Sequence, residues 1–136
     1  MSALQIIKQA PTIEQYKTLC KAVGWQNVIN FEAAEISLRN SVFGMTVLMD
    51  DQLAGMGRIV GDGAMYFYLQ DIAVAPDFQG YGIGTLIMET LLNHIKQNAP
   101  AQAFVGIFAA PDAMKLYERY GFIERDLVGV FNVTPL

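Results

Sequence analysis

Apolar residues recur along this chain at two alternating periods. Between residues 13 and 23, Ile13, Tyr16, Leu19, Cys20 and Val23 fall at helical intervals and predict an amphipathic helix with its stripe toward a core. Thr12 and Gln15 ahead of it have the spacing of a capping box, and Gly24 stands where a C-terminal cap belongs. On this pattern Cys20 is a core residue. Asn30 predicts a second N-cap, before a short helix with Phe31, Ala34 and Leu38 on one face, ended by Asn40 and Ser41. A longer helix is expected over 83–97, with Ile87, Met88, Leu91 and Ile95 as its stripe and Thr85, Glu89, Asn93 and Lys96 opposite. A fourth opens at Pro111, carries Ala113, Leu116, Tyr117 and Tyr120, and stops at Gly121.

Between the helices lie β-rich runs over 4–8, 42–49, 53–60, 65–74, 104–108 and 127–133. The turns Asp50-Asp51-Gln52 and Gly61-Asp62-Gly63 join the second, third and fourth runs into an antiparallel meander. Pro76 ends the last of these. The helix over 83–97 separates the strand before residue 76 from the strand after residue 102, so those two should be parallel neighbours joined by a helical crossover. The expected fold class is α/β, in an α+β arrangement: a mixed, mostly antiparallel sheet flanked by helices. No repeat, low-complexity tract or linker interrupts the chain, which reads as a single domain over 1–136.

Composition narrows the function. With 53% hydrophobic and 16% charged residues among 136, the chain buries a sizeable core and is not disordered. One cysteine excludes an internal disulfide, and Cys20 and His94 alone do not make a metal cluster, so no metal is expected. Thirteen acidic against 9 basic residues give a net charge of −4, without the basic patch that binding to a phosphate backbone needs. Nucleic acid is not an expected partner. The N-terminus lacks a basic start, and no run approaches the ~18 to 20 apolar residues that span a bilayer, so the reading is a soluble, unprocessed, cytoplasmic protein without a membrane partner.

Seven of the 12 glycines fall between Gly55 and Gly84, most densely in Gln79-Gly80-Tyr81-Gly82-Ile83-Gly84, after a strand and at the mouth of a helix. Without Cβ atoms such a turn lets backbone N–H groups and the positive end of the helix approach an anion. The plainer reading is a turn that only reverses direction, and spacing alone leaves both open. The pattern G-x-G-x-G is not the dinucleotide fingerprint G-x-G-x-x-G.

The stretch Asp71-Ile72-Ala73-Val74-Ala75-Pro76-Asp77-Phe78-Gln79-Gly80-Tyr81-Gly82-Ile83-Gly84 resembles the acetyl-CoA motif of GNAT-type N-acetyltransferases, with the signature Q/R-x-x-G-x-G/A at Gln79, Gly82 and Gly84. Lys115-Leu116-Tyr117-Glu118-Arg119-Tyr120-Gly121-Phe122 resembles the L-Y-x-x-x-G-F segment of the same family, and the two blocks with the elements around them cover roughly 42–124. The resemblance implies that the parallel pair of strands splays around acetyl-CoA. On that reading Ile72, Ala73 and Val74 bind the pantetheine arm and the acetyl carbonyl, chiefly through the backbone of Ile72 and Val74. Gln79, Gly80, Tyr81, Gly82, Ile83 and Gly84, with Thr85, hold the pyrophosphate. Tyr117 gives a proton to the departing thiolate. Two positions depart from the family: Ala109-Ala110-Pro111 stands where many members carry an asparagine that binds pantetheine, and Gln79 where others have arginine. Lys115 and Arg119 are candidates for the nucleotide phosphate, with plain solvated helix cations as the alternative.

A narrower similarity, to plant plastid serotonin-type and related bacterial GNAT proteins, rests on Val23-Gly24-Trp25, Ser37-Leu38-Arg39-Asn40-Ser41 and Gln70-Asp71-Ile72-Ala73-Val74. It implies that Asp71 serves as the base, directly or through water. The alternative is an acid that satisfies backbone N–H groups at a strand end. Gln70 stands where those proteins carry an aromatic residue. An amine nucleophile with pKa about 10 must lose a proton before it attacks. His94, at the edge of its helix stripe, reads as packing or surface. Trp25, Glu32, Tyr66, Tyr68 and Gln70 are candidate acceptor contacts, the last three alternating onto one strand face.

The expected function is acetyl transfer from acetyl-CoA to a primary amine of a small molecule. A protein-lysine or N-terminal acetyltransferase is the alternative, and an acetyl-CoA-binding module without turnover a second one. Tyr117 argues against the last, since binding alone needs no hydroxyl at the thiolate. A homodimer stays open.

Overall fold

A computed structural model describes residues 3–136, and among these described residues the chain forms five strands and four α-helices; Met1 and Ser2, within the domain expected over 1–136, lie outside the described residues. The strands are β1 (Leu4–Ile7), β2 (Phe43–Met49), β3 (Gln52–Gly61), β4 (Tyr66–Val74) and β5 (Phe104–Ile107). The helices are α1 (Ile13–Ala22), α2 (Phe31–Arg39), α3 (Ile83–Asn98) and α4 (Met114–Glu118). One sheet takes the order β1-β2-β3-β4-β5, antiparallel throughout except for the parallel pair β4–β5 that α3 connects. The expected mixed sheet and its crossover are therefore present.

Local chemistry sets the elements. Thr12 Oγ1 accepts from the Gln15 N–H at 3.2 Å and Gln15 Oε1 from the Thr12 N–H at 2.9 Å, a complete capping box on α1. Asn30 caps α2 by accepting from Glu32 and Ala33. Asp50 and Asp51 sit at φ 50° and 64°, as a two-residue hairpin turn matched to strand twist demands. Asp62 holds the next turn by accepting from the N–H groups of Ala64, Met65 and Tyr66, bonds that keep its carboxyl below the usual range.

Two layers cover the sheet. Ile83, Ile87, Met88, Leu91 and Ile95 of α3 pack against Met45, Val47, Ile59, Phe67 and Leu69 on one face. A Cβ on Gly57 would lie 2.6 Å from Ile87 Cγ2, so this glycine is what lets α3 sit so close. On the other face Tyr16, Leu19, Cys20, Ala34 and Leu38 cover Met56 and Ala73. Each buried Val, Leu, Ile, Phe or Met side chain among them contributes roughly 1.5 to 3 kcal/mol. Cys20 is fully buried, as its stripe predicts. His94 stacks on Phe43 with centroids 4.2 Å apart, and burial followed by Lys8 pulls its pKa down, consistent with packing.

The strand expected over 127–133 does not form. After Gly121 the chain has neither helix nor strand, and Val128 and Val130 are 83% exposed. Alternating apolar residues supply β-propensity, but a strand exists only where a neighbour completes its ladder, and here Phe131 and Gly129 lie against the Phe108 ring without backbone pairing. No described helix is long and apolar enough to cross a membrane.

Candidate active site

The sheet opens along β4. Tyr66 to Leu69 lie opposite Phe104 to Ile107, but beyond Leu69 strand β5 offers no partner while β4 continues to Val74 against β3 alone. Backbone groups of 70–74 that point toward β5 therefore face a gap. A bulge decides which groups these are. Arg58 pairs with Gln70 and Met56 with Ala73, so Gly57 faces two residues, Asp71 and Ile72. The Asp62 N–H donates to Tyr66 O, and an unbroken alternation from there would turn Ile72 and Val74 toward β3. The extra residue shifts the alternation by one. The Ala75 N–H donates to Ala54 O at 2.8 Å, Ala73 faces Met56, and Ile72 and Val74 turn their peptide groups to the gap. Asp71 absorbs the insertion at φ 56°, a left-handed conformation unusual outside glycine.

The glycine turn lies beside this edge. Gly80 and Gly82 have φ 87° and 78°, and a Cβ on either would meet no atom within 4 Å. Backbone conformation, not crowding, is what requires glycine there. No side chain caps α3, whose first intrahelical bond runs from the Leu86 N–H to Gly82 O, so the N–H groups of Ile83, Gly84 and Thr85 have no helical partner. They open on a cavity of about 240 Å³ lined by Val74, Phe78, Gln79, Gly80, Gly82, Ile83, Gly84, Thr85, Leu116 and Arg119. Free donors, a helix dipole and Arg119 give this hollow the character of an anion cradle.

The expected residues meet the cradle unequally. The Gln79 N–H donates to Pro76 O at 3.3 Å and its side-chain amide to Val74 O at 3.2 Å, so Gln79 ties the turn to the strand end rather than offering donors. Ala73 points its methyl into the opposite layer and pairs with Met56. Tyr81 is exposed, and Ile83 buries its side chain in the α3 core. Lys115 is outside the lining, while Leu116 and Arg119 are in it.

Tyr117 lies on the same side of the sheet as α3, 7% exposed. Burial, with the nearby Asp112, raises its pKa above the usual phenol value. Its hydroxyl has no hydrogen-bond partner among the described residues, yet it is not sealed from solvent.

Asp71 lies on the opposite face, in a polar cluster. Its Oδ2 accepts from Arg58 Nε at 2.7 Å and from the Tyr16 hydroxyl at 3.1 Å, with both charged side chains under a tenth exposed. Arg58 also donates to Ser37 O, Ser37 Oγ and Ser41 Oγ at the end of α2. Burial first, then the Asp71 charge, push the Tyr16 phenol well above its usual range. Oδ1 of Asp71 has no donor among the described residues. Arg58 and Tyr16 were not expected in the site. The one signal for Arg58 is a lone cation inside the otherwise uncharged strand run LAGMGRIV, opposite a strand with a lone acid.

Tyr66, Tyr68 and Gln70 share one strand face, as their alternation predicts, and since Phe67 and Leu69 between them pack under α3 it is the α1–α2 side. The first two meet Phe104, with centroids 6.3 and 5.9 Å away, on an open part of the sheet. Trp25 packs into the α1–α2 cluster, and the exposed Glu32 makes no ion pair among the described residues. The gap between β4 and β5 thus has the cradle and Tyr117 on one face, and Asp71 and the tyrosine row on the other. Among the described residues no three His, Cys, Asp or Glu side chains gather as metal ligands would.

Known proteins share this fold. The family model for the acetyltransferase (GNAT) domain matches residues 10–135. A protein of unknown function from meticillin-resistant Staphylococcus aureus superposes with a TM-score of 0.87 at 34% identity, over 97% of this chain and 99% of that one. A GNAT family acetyltransferase from Streptococcus pneumoniae gives 0.81 at 26% identity, covering each chain fully (100%). The N-acetyltransferase ycf52 of Pyropia yezoensis is 27% identical over 114 residues, which are 81% of this chain and 64% of that protein. The chain thus spans a little under two thirds of the length of that curated relative.

Proposed function

Because the chain belongs to the GNAT acetyltransferase family, we propose that it moves the acetyl group of acetyl-CoA to a primary amine of a small molecule by direct attack on the thioester. The observation that carries this reading is the nearness of two sets of free donors: the N–H groups of Ile83 to Thr85 open on the cavity, and Val74, which lines the same cavity, ends the strand edge whose Ile72 and Val74 groups face the gap. Acetyl-CoA supplies an activated acyl group, whose carbonyl oxygen and then sulfur gain negative charge during attack.

The chain's own groups answer that charge. Gly80 to Thr85, with Arg119, hold the pyrophosphate. The N–H groups of Ile72 and Val74 orient the arm and donate to the carbonyl, where fixed donors are worth most. Tyr117 donates to the leaving thiolate, since a phenol whose pKa is raised keeps its proton at neutral pH. The acceptor approaches from the Tyr68 and Gln70 face. Its proton leaves through water at Asp71 Oδ1, because Oδ2 is engaged by two donors. A reducing, cytoplasmic setting is part of this proposal, supported by the single buried Cys20.

Thiol release from acetyl-CoA against a panel of arylalkylamines, polyamines, amino acids, aminosugars and lysine peptides tests the reading. Turnover with a small amine is expected. Turnover with lysine peptides alone would replace it by protein acetylation, and acetyl-CoA binding without thiol release under any acceptor would reduce the chain to a binding module.

A further inference from the structure

The bulge that aims Ile72 and Val74 at the gap rests on a residue that L-side chains disfavour: Asp71 sits at φ 56° with a Cβ. Something must hold it there. Its backbone sits between two ordinary β positions, so the restraint comes through the carboxylate, and the shortest bond to that carboxylate is from Arg58 Nε at 2.7 Å. Arg58 is itself immobilised. Its Nη1 donates to Ser37 O at 3.0 Å and Ser41 Oγ at 3.3 Å, and Nη2 to Ser37 Oγ at 2.9 Å. Its side chain is 8% exposed and that of Asp71 7%. A forked guanidinium held at three points on the α2 terminus gives the bulge a fixed external anchor, which a flexible ammonium lacks.

We propose that Arg58 is a positioning residue for acyl transfer: by clamping Asp71 in the left-handed bulge it sets the register that presents the peptide groups of Ile72 and Val74 to the acyl donor. This rests on the reading that acetyl-CoA lies along that edge. When the clamp is released, β4 relaxes toward unbroken pairing, Ile72 turns to β3, and the gap is lined by the groups of Asp71 and Ala73. Binding must then first restore the bulge, and the fraction of molecules lacking it appears as lost affinity.

The test removes the carboxylate from the comparison. In an Arg58→Gln background, Asp71→Gly and Asp71→Ala both lack the charge that would otherwise be buried unpaired, and differ in the cost of the left-handed angle. Glycine adopts φ 56° freely and needs no clamp, while alanine pays a penalty that corresponds to roughly 5- to 30-fold in the equilibrium. By calorimetry, Arg58→Gln/Asp71→Gly should bind acetyl-CoA within about threefold of Asp71→Gly alone, and Arg58→Gln/Asp71→Ala roughly 5- to 30-fold more weakly than the glycine pair. The split is expected in acetyl-CoA affinity; turnover stays low in both pairs because Oδ1 is gone.

Inter-strand NMR contacts in the free proteins supply a readout that needs no ligand. Met56 should remain opposite Ala73 in the glycine pair and move opposite Ile72 in the alanine pair. Equal affinities with Met56 opposite Ala73 in both pairs would overturn the clamp. Failure of the wild-type chain to bind acetyl-CoA would overturn the cofactor reading and the catalytic role together, while the NMR contacts would still judge the clamp alone.

Discussion

Replacing Tyr117 by phenylalanine removes one oxygen and leaves a ring that is 7% exposed and packed among the α3 residues. Truncation to alanine would cost about 3 to 5 kcal/mol of stability and confuse folding with chemistry. The phenylalanine change breaks no hydrogen bond within the described chain, so its stability cost is below about 1 kcal/mol. General acid catalysis typically supplies ~10² to 10⁴-fold, about 2.7 to 5.5 kcal/mol of barrier. The expected result is therefore a fall of that size in the acetyl-transfer rate with acetyl-CoA affinity unchanged, read by single-turnover thiol release and by calorimetry. The pH profile adds a check with a definite sign. Burial raises the Tyr117 pKa from 10.0, so the protonated form is complete at neutral pH and is lost only above pH 10. The wild-type protein should lose activity on that alkaline limb and the variant should lack it. A variant with the wild-type single-turnover rate would make Tyr117 a core residue and send the thiolate's proton elsewhere.

Three further outcomes are expected. Gly82→Leu, at φ 78° beside the cradle, should weaken acetyl-CoA binding by about 1 to 2 kcal/mol or more while the domain stays folded; unchanged affinity in calorimetry would remove the pyrophosphate from that turn. Asp71→Asn should depress turnover on the order of 10²-fold near neutral pH and recover partly at high pH, where solvent deprotonates more of the amine; a wild-type rate and profile would make Asp71 structural and route the proton through Glu32 or a water chain. Gly57→Ala should lower stability by roughly 1 to 3 kcal/mol in denaturant melts, because its methyl would stand 2.6 Å from a fully buried Ile87 side chain; an unshifted midpoint would mean that α3 has room to move.

What the sequence determined by itself is local. The Thr12–Gln15 box, the Asn30 cap, the Asp50-Asp51 turn and the glycine turn before α3 each act within a few residues, so their chemistry is legible in one stretch of chain. The helix stripes are legible for the same reason, since period alone says which face is buried. The segment over 127–133 has the same kind of signal and no strand, because a ladder needs a second segment that sequence alternation cannot supply. The bulge in β4 is likewise a relation between two strands: neither LAGMGRIV nor YFYLQDIAV shows that Gly57 will face two residues. Only tertiary structure brought Arg58 from β3 and Tyr16 from α1 to one carboxylate, with Ser37 and Ser41 near the end of α2 behind the guanidinium, and so decided that Ile72 and Val74, rather than Asp71 and Ala73, turn their peptide groups toward the gap.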